Sequence, residues 1–168
     1  MNKKGISVII GYILLTAIVI SLAAVIYTWM KNYVPKETLE CPDEISIFIK
    51  DYKCSSQELN LTLKNNGKFN IAGYLIYATN SPQNQLATID LSKNITSGGT
   101  PLNPTGIKMS GVENSFLPDS EESHLFDISS IQPRVYSIEI VPIRLQEQGR
   151  KEKLVTCINS KIKESLNC

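Results

Sequence analysis

The sequence predicts an α+β protein: a long N-terminal hydrophobic α-helix followed by an immunoglobulin-like antiparallel β-sandwich. Three observations predict it. Ile6 to Met30 is a run of 25 residues without a formal charge. Beyond residue 44 the apolar residues alternate with polar ones, which is the period of half-buried strands. Four cysteines all lie after the apolar run, without CxxC spacing, as expected of disulfides in an oxidising space rather than of a zinc or thioredoxin site.

The helix comes first. At roughly 1.5 Å per residue the apolar run extends about 37 Å, enough to cross a hydrocarbon core of about 30 Å with some tilt. Lys3 and Lys4 precede it, so the positive-inside rule leaves the N-terminus in the cytoplasm and sends the rest of the chain outward. A removable secretory signal needs a short apolar region and a small-x-small cut site. "SLAA" at Ser21–Ala24 offers such a site, but "VIYTWM" continues the apolar run beyond it, so a retained helix is the better reading. Ala17, Ser21, Ala24 and Thr28 are spaced four, three and four, which puts four small residues on one face where another helix can approach closely. Tyr27, Trp29 and Tyr33 stand near the outer end, as interfacial aromatics do. Pro35 disfavours helix at Val34, so the helix should stop near Tyr33.

Residues 35–43 read as a linker, and 44–168 as the outer domain. Ile45, Ile47 and Ile49 alternate with their neighbours, as do Leu59, Leu61 and Leu63. "NNG" at Asn65–Gly67 supplies turn chemistry, and "IAGYLIYA" is apolar on both faces, hence a central strand. Residues 86–91, 124–128, 135–145 and 153–158 complete a set of six to eight short strands, which favours a sandwich. Residues 92–106, rich in Gly, Pro, Ser, Thr and Asn, read as an exposed loop.

The cysteines are Cys41, Cys54, Cys157 and Cys168. A strand between the first two holds them tens of ångströms apart at roughly 3.3 Å per residue. A helix over "INSKIKESLN", with Ile158, Ile162 and Leu166 at i, i+4 and i+8, would hold the last two about 16 Å apart. Disulfides need Cα separations under about 7 Å, so both local pairings are disfavoured. Of the two cross-pairings, Cys54–Cys157 with Cys41–Cys168 is preferred. Two N-x-S/T sequons, "NLT" at Asn60 and "NIT" at Asn94, are candidate N-glycosylation sites. Alternation places Asn60 on the polar face of its strand.

Other chemistry is not visible. The net charge is +1 and no basic patch stands out, which argues against nucleic acid. The single histidine, His124, excludes His-pair metal sites. "PDSEESH" at Pro118–His124 gathers acidic residues that can hold a cation weakly, but reads as a solvated turn. No P-loop, nucleophile elbow or H-E-x-x-H is present. The expectation is a non-enzyme without cofactor or metal.

"KKG" directly before "ISVIIGYILLTAIVISLAAVIYTW" resembles the class III signal peptide of archaeal type IV pilins and pilin-like proteins. "LTLKNNGKFNIAGYLIY" is similar to a strand–turn–strand of their β domains. The resemblance implies that a prepilin peptidase cuts after Gly5, with Lys3 and Lys4 as the basic residues before the cut and Ile6 as the new N-terminus. Residues 1–5 are then the signal and 6–34 the helix, first a membrane anchor and afterwards the core of a helical filament with copies of itself or other pilins as partners. The fifth position after the cut is Ile10, where bacterial type IV pilins carry a glutamate, and "GYILL" lacks the glycine-rich pattern of many archaellins. An extracellular pilus subunit with an adhesive role is therefore expected rather than a swimming-filament subunit. The alternative is an uncleaved single-pass protein displaying a β-sandwich binding or adhesin domain.

Overall fold

The computed structural model describes residues 3–33, 40–84, 86–111, 115–148, 151–166 and 168. The chain divides into two compact units, Met1–Thr38 and Leu39–Cys168.

The first unit is one helix, α1 (Lys3–Tyr33), 31 residues long. It starts three residues before Ile6, so the Gly5–Ile6 bond lies within helical backbone. Pro35 and most of the expected linker fall outside the described residues.

The second unit is a two-sheet antiparallel sandwich. Its strands are β1 (Ile47–Cys54), β2 (Glu58–Asn65), β3 (Gly73–Thr79), β4 (Ile89–Asp90), β5 (Ile95–Ser97), β6 (Gly99–Pro101), β7 (Ile107–Met109), β8 (Glu121–Asp127), β9 (Ser137–Gln148), β10 (Lys151–Thr156) and β11 (Ile162–Ser165). The first sheet runs β1-β2-β8-β5. The second runs β10-β9-β3-β7-β6, with β11 also on β9 and β4 on β3. The period-2 pattern explains the core. Leu59, Leu61 and Leu63 of β2 and Phe126 of β8 are fully buried from the first sheet. Tyr74, Ile76 and Ala78 of β3 and Ile138 and Ile140 of β9 are buried from the second. Burying each large apolar side chain contributes about 1.5–3 kcal/mol.

Three expectations are corrected and a fourth is refined. "NNG" is a turn, with the Asn65 side chain accepting from the Gly67 N–H, but it leads from one sheet to the other, because β2 and β3 lie in different sheets. Asn65 is buried; its Nδ2 donates to the carbonyls of Phe69 (2.9 Å) and Phe116 (2.8 Å), and its Oδ1 accepts from the Gly67 N–H. It thereby pins a crossover between the sheets.

Residues 92–106 are not a bare loop. They hold a 3-10 turn at Ser92–Asn94, then β5 in the first sheet and β6 in the second. The crossing falls at Gly98, whose φ is +92°, where a Cβ would run into the Ser123 carbonyl. The small, turn-prone composition here serves close strand passage rather than mobility.

"PDSEESH" is a turn only to Ser120. From Glu121 it is strand β8, with His124 facing inward at 0% exposure.

Residues 158–166 are not a helix. A 3-10 turn at Ile158–Ser160 leads into β11, with Ile162 opposite Ile140. Ile158, 70% exposed, anchors no apolar stripe. β9 outruns β10, whose pairing stops at Ile143, and its free length from Ser137 to Ile140 takes up β11.

Candidate functional site

The surface most in need of a partner is the helix. Ile9–Lys31 is long and apolar enough to span a bilayer, with mean hydropathy 2.7. Every side chain in it is exposed, and the apolar ones are spread all round. Ile9, Ile10, Tyr12, Ile13, Leu14 and Leu15 follow almost without a break. A helix apolar on every side is stable only in lipid or among other apolar helices.

Its hydroxyl groups suit that setting. Ser21 Oγ donates to the Ile18 carbonyl at 2.9 Å. Thr28 Oγ1 reaches the Ala24 and Val25 carbonyls at 3.1 and 2.9 Å, and Thr16 the Tyr12 and Ile13 carbonyls. Each of these three hydroxyls is satisfied by its own helix, as an environment without water requires. The small-residue positions Ala17, Ser21, Ala24 and Thr28 thus present neither bulk nor an unpaired donor. Lys3, Lys4, Gly5 and Ile6 lie in the first turns of α1; their side chains are outside the described residues.

In the β domain, two disulfides join its first segment to its last. They are Cys41–Cys157, with Cα atoms 5.3 Å apart, and Cys54–Cys168, at 4.9 Å. The local pairings are not formed, but the preferred cross-pairing is overturned. The reason is β11. Cys157 is held where β10 ends, its N–H donating to the Pro142 carbonyl. Cys41 follows Glu40, whose carbonyl accepts from Gln146 Nε2 at 2.9 Å, so both cysteines sit beside β9. The chain then returns along β9 as β11 and delivers Cys168 to Cys54 at the end of β1.

The two sequons lie on either side of β8, one within β2 and the other running from the 3-10 turn into β5. Asn60 is exposed on β2, opposite Leu125, and Thr62 Oγ1 lies 3.0 Å from Ser123 Oγ. Asn94 is engaged: its Nδ2 donates to the Asp127 carbonyl at 2.8 Å, while Thr96 Oγ1 donates to that of Leu125.

A buried polar cluster between the sheets escaped the sequence reading. The rings of Tyr74 and His124 meet edge to face at 5.2 Å. His124 Nε2 lies 3.6 Å from Glu122 Oε2. Both imidazole nitrogens, that Oε2 and the Tyr74 hydroxyl are buried without a hydrogen-bond partner. Burial lowers the His124 pKa from 6.5 to about 4. Burial raises that of Glu122, against the pull of the Ser110 and Gly111 N–H groups. Burial, and then the Glu122 charge, raise that of Tyr74. The alternation of Glu122, His124 and Phe126 was the available signal. Among the described residues no three His, Cys, Asp or Glu side chains are placed to hold a metal ion.

No family model and no curated protein matches the sequence. Among solved structures the chain is similar to the archaellum periplasmic stator protein FlaG from Sulfolobus acidocaldarius. The identity is 17%, over 73% of this chain and 99% of that one, with a TM-score of 0.38. That likeness is too slight to carry an argument about function.

Proposed function

We propose that the chain is a structural, non-enzymatic subunit of an extracellular type IV-like filament, processed between Gly5 and Ile6. The observation that carries this reading is the helix: exposed and apolar on every side, with the hydroxyls of Thr16, Ser21 and Thr28 internally satisfied. Lipid satisfies such a helix before assembly, and neighbouring copies satisfy it in a filament core. Removal of Lys3 and Lys4 takes away the charges that hold its start at the cytoplasmic surface. The resemblance of "KKGISVIIGYILL" to archaeal prepilin signals supports the same reading, as do two disulfides on the outward side. The β domain then forms the filament's outer surface, with adhesion as its further role and glycans on Asn60 or Asn94 as its modification.

Intact mass of the membrane-extracted chain tests this. A mature N-terminus at Ile6, abolished together with filaments by Gly5→Phe, is the expected result. A chain retaining Met1–Gly5 in cells that process other prepilins would instead support the uncleaved single-pass protein.

A further inference from the structure

On β9 and β10, Leu145 and Leu154 stand opposite each other, 43% and 53% exposed. Two depressions open beside them, of about 400 and 390 Å³. They share Ala72, Ser115 and Leu145 and so form one groove. Leu102, Lys108 and Glu152 line its far part with Leu154. Lys68, Phe69 and Arg144 line its near part.

Arg144 decides what the groove prefers. Its guanidinium carbon lies 4.2 Å from the centre of the Phe69 ring. The backbone of Phe69 is held where its carbonyl accepts from the buried Asn65 amide. Lys68 is already committed to Glu44. No carboxylate among the described residues pairs with Arg144. A guanidinium with one face on a ring keeps its edge donors in a fixed fork, which matches a carboxylate in two parallel hydrogen bonds. In the far part Lys108 and Glu152 offset one another, so the preference for an anion belongs to the Arg144 end. Beside it lies an uncovered aliphatic pair.

We infer that this groove binds an extended segment of another protein in which an acidic residue stands next to an aliphatic one. The carboxylate pairs with Arg144, and the aliphatic side chain covers Leu145 and Leu154. A small free acid fits less well, since small-molecule sites bury most of their ligand and this groove is open along its length. The inference does not depend on the filament reading, because it uses only the β domain.

The test uses the full chain in detergent micelles and a fluorescein-labelled Gly/Ser heptapeptide carrying one glutamate followed by one leucine. Fluorescence anisotropy should show it binding at least about tenfold more tightly than the same peptide with lysine for glutamate, or with serine for leucine. Arg144→Gln should lose about tenfold, and Leu154→Ser several-fold, with circular dichroism and both disulfides unchanged. Equal binding of the three peptides, or unaltered binding by Arg144→Gln, overturns the proposal. Octanoate displacing the peptide at equal concentration would assign the groove to small acids and overturn it too. So would self-association of the chain that Arg144→Gln abolishes, since the occupant would then be a second copy.

Discussion

The two units solve opposite problems. In the β domain nearly every large apolar residue has an intramolecular neighbour. Leu59, Leu61, Leu63, Tyr74, Ile76, Phe126, Ile138 and Ile140 close on one another between the sheets, and two disulfides tie the domain's first segment to its last. In α1 the apolar side chains from Ile9 to Met30 are exposed, while the hydroxyls of Thr16, Ser21 and Thr28 are satisfied internally. The domain carries its stability within itself, and the helix carries a demand for surroundings. The helix therefore needs an interface with lipid or with other helices, whereas the domain is stable without one.

Breaking the domain without touching the helix is the sharpest way to test that division. The disulfides close separations of 116 and 114 residues, and loops of that size are each worth about 4–5 kcal/mol by the chain-entropy argument, with typical measured values of about 2–4. Cys41→Ser with Cys157→Ser should lower the domain's unfolding free energy by several kcal/mol. Membrane retention should be unchanged. Urea unfolding followed by circular dichroism and carbonate extraction of membranes read the two quantities separately. Release of the reduced chain from membranes would show that the helix depends on the domain after all. Phe126→Ala, which empties a fully buried site, should cost about 3–5 kcal/mol in the same assay.

How far these features were legible follows from the range over which each is determined. The helix rests on 25 consecutive residues, and the strand at Glu58–Asn65 on three leucines at period 2; both are local, and both are where the sequence put them. The disulfide pairing is not local. It depends on β11 occupying the stretch of β9 that β10 leaves free, and Ile158, Ile162 and Leu166 also fit a helical spacing. Residues 92–106 have loop composition, yet Gly98 and Gly99 are small because strands pass closely there. His124 sits in a run of acidic residues that signals solvent. Only the parity of Glu122, His124 and Phe126 along β8 carries a signal of an inward face, and the acidic composition outweighs it. Arg144 on Phe69 had no local signal, since 75 residues separate them in the chain.

The buried cluster gives the next largest effect, and it again belongs to the domain alone. His124 is held neutral, with a folded pKa of about 4 against 6.5. Its stabilisation is therefore complete above pH 6.5 and is lost as pH falls toward 4, because the unfolded chain takes up the proton first. At about 1.4 kcal/mol per pKa unit the loss approaches about 3 kcal/mol. Glu122 works the other way: its raised pKa favours the protonated carboxyl in the folded state, so its contribution is lost as pH rises and partly offsets the histidine. Urea midpoints at pH 7 and pH 4.5 should differ markedly for the parent chain and much less for His124→Phe. An equal acid shift in both would mean that other carboxylates, not this cluster, govern the response.

The smallest effect on stability should come from the helix, and that is what gives it meaning. Ala24→Phe puts a large side chain on the face formed by Ala17, Ser21 and Thr28, in a segment whose every described side chain is exposed. Nothing in the domain's core is altered, so its urea midpoint should stay within about 0.5 kcal/mol of the parent. Insertion into the membrane should be equally unaffected, since phenylalanine is as welcome in hydrocarbon as alanine. What should fail is close approach of a second helix, because small residues allow backbones to pack where hydrophobicity no longer drives association. Val19→Phe, on the opposite side of the helix from that face, controls for bulk alone. Filaments imaged from cells carrying each variant separate the two: loss with Ala24→Phe and retention with Val19→Phe place the contact on the small face. Equal loss would mean that the helix is surrounded on all sides in the assembly. Equal retention would leave the small residues with no part in it.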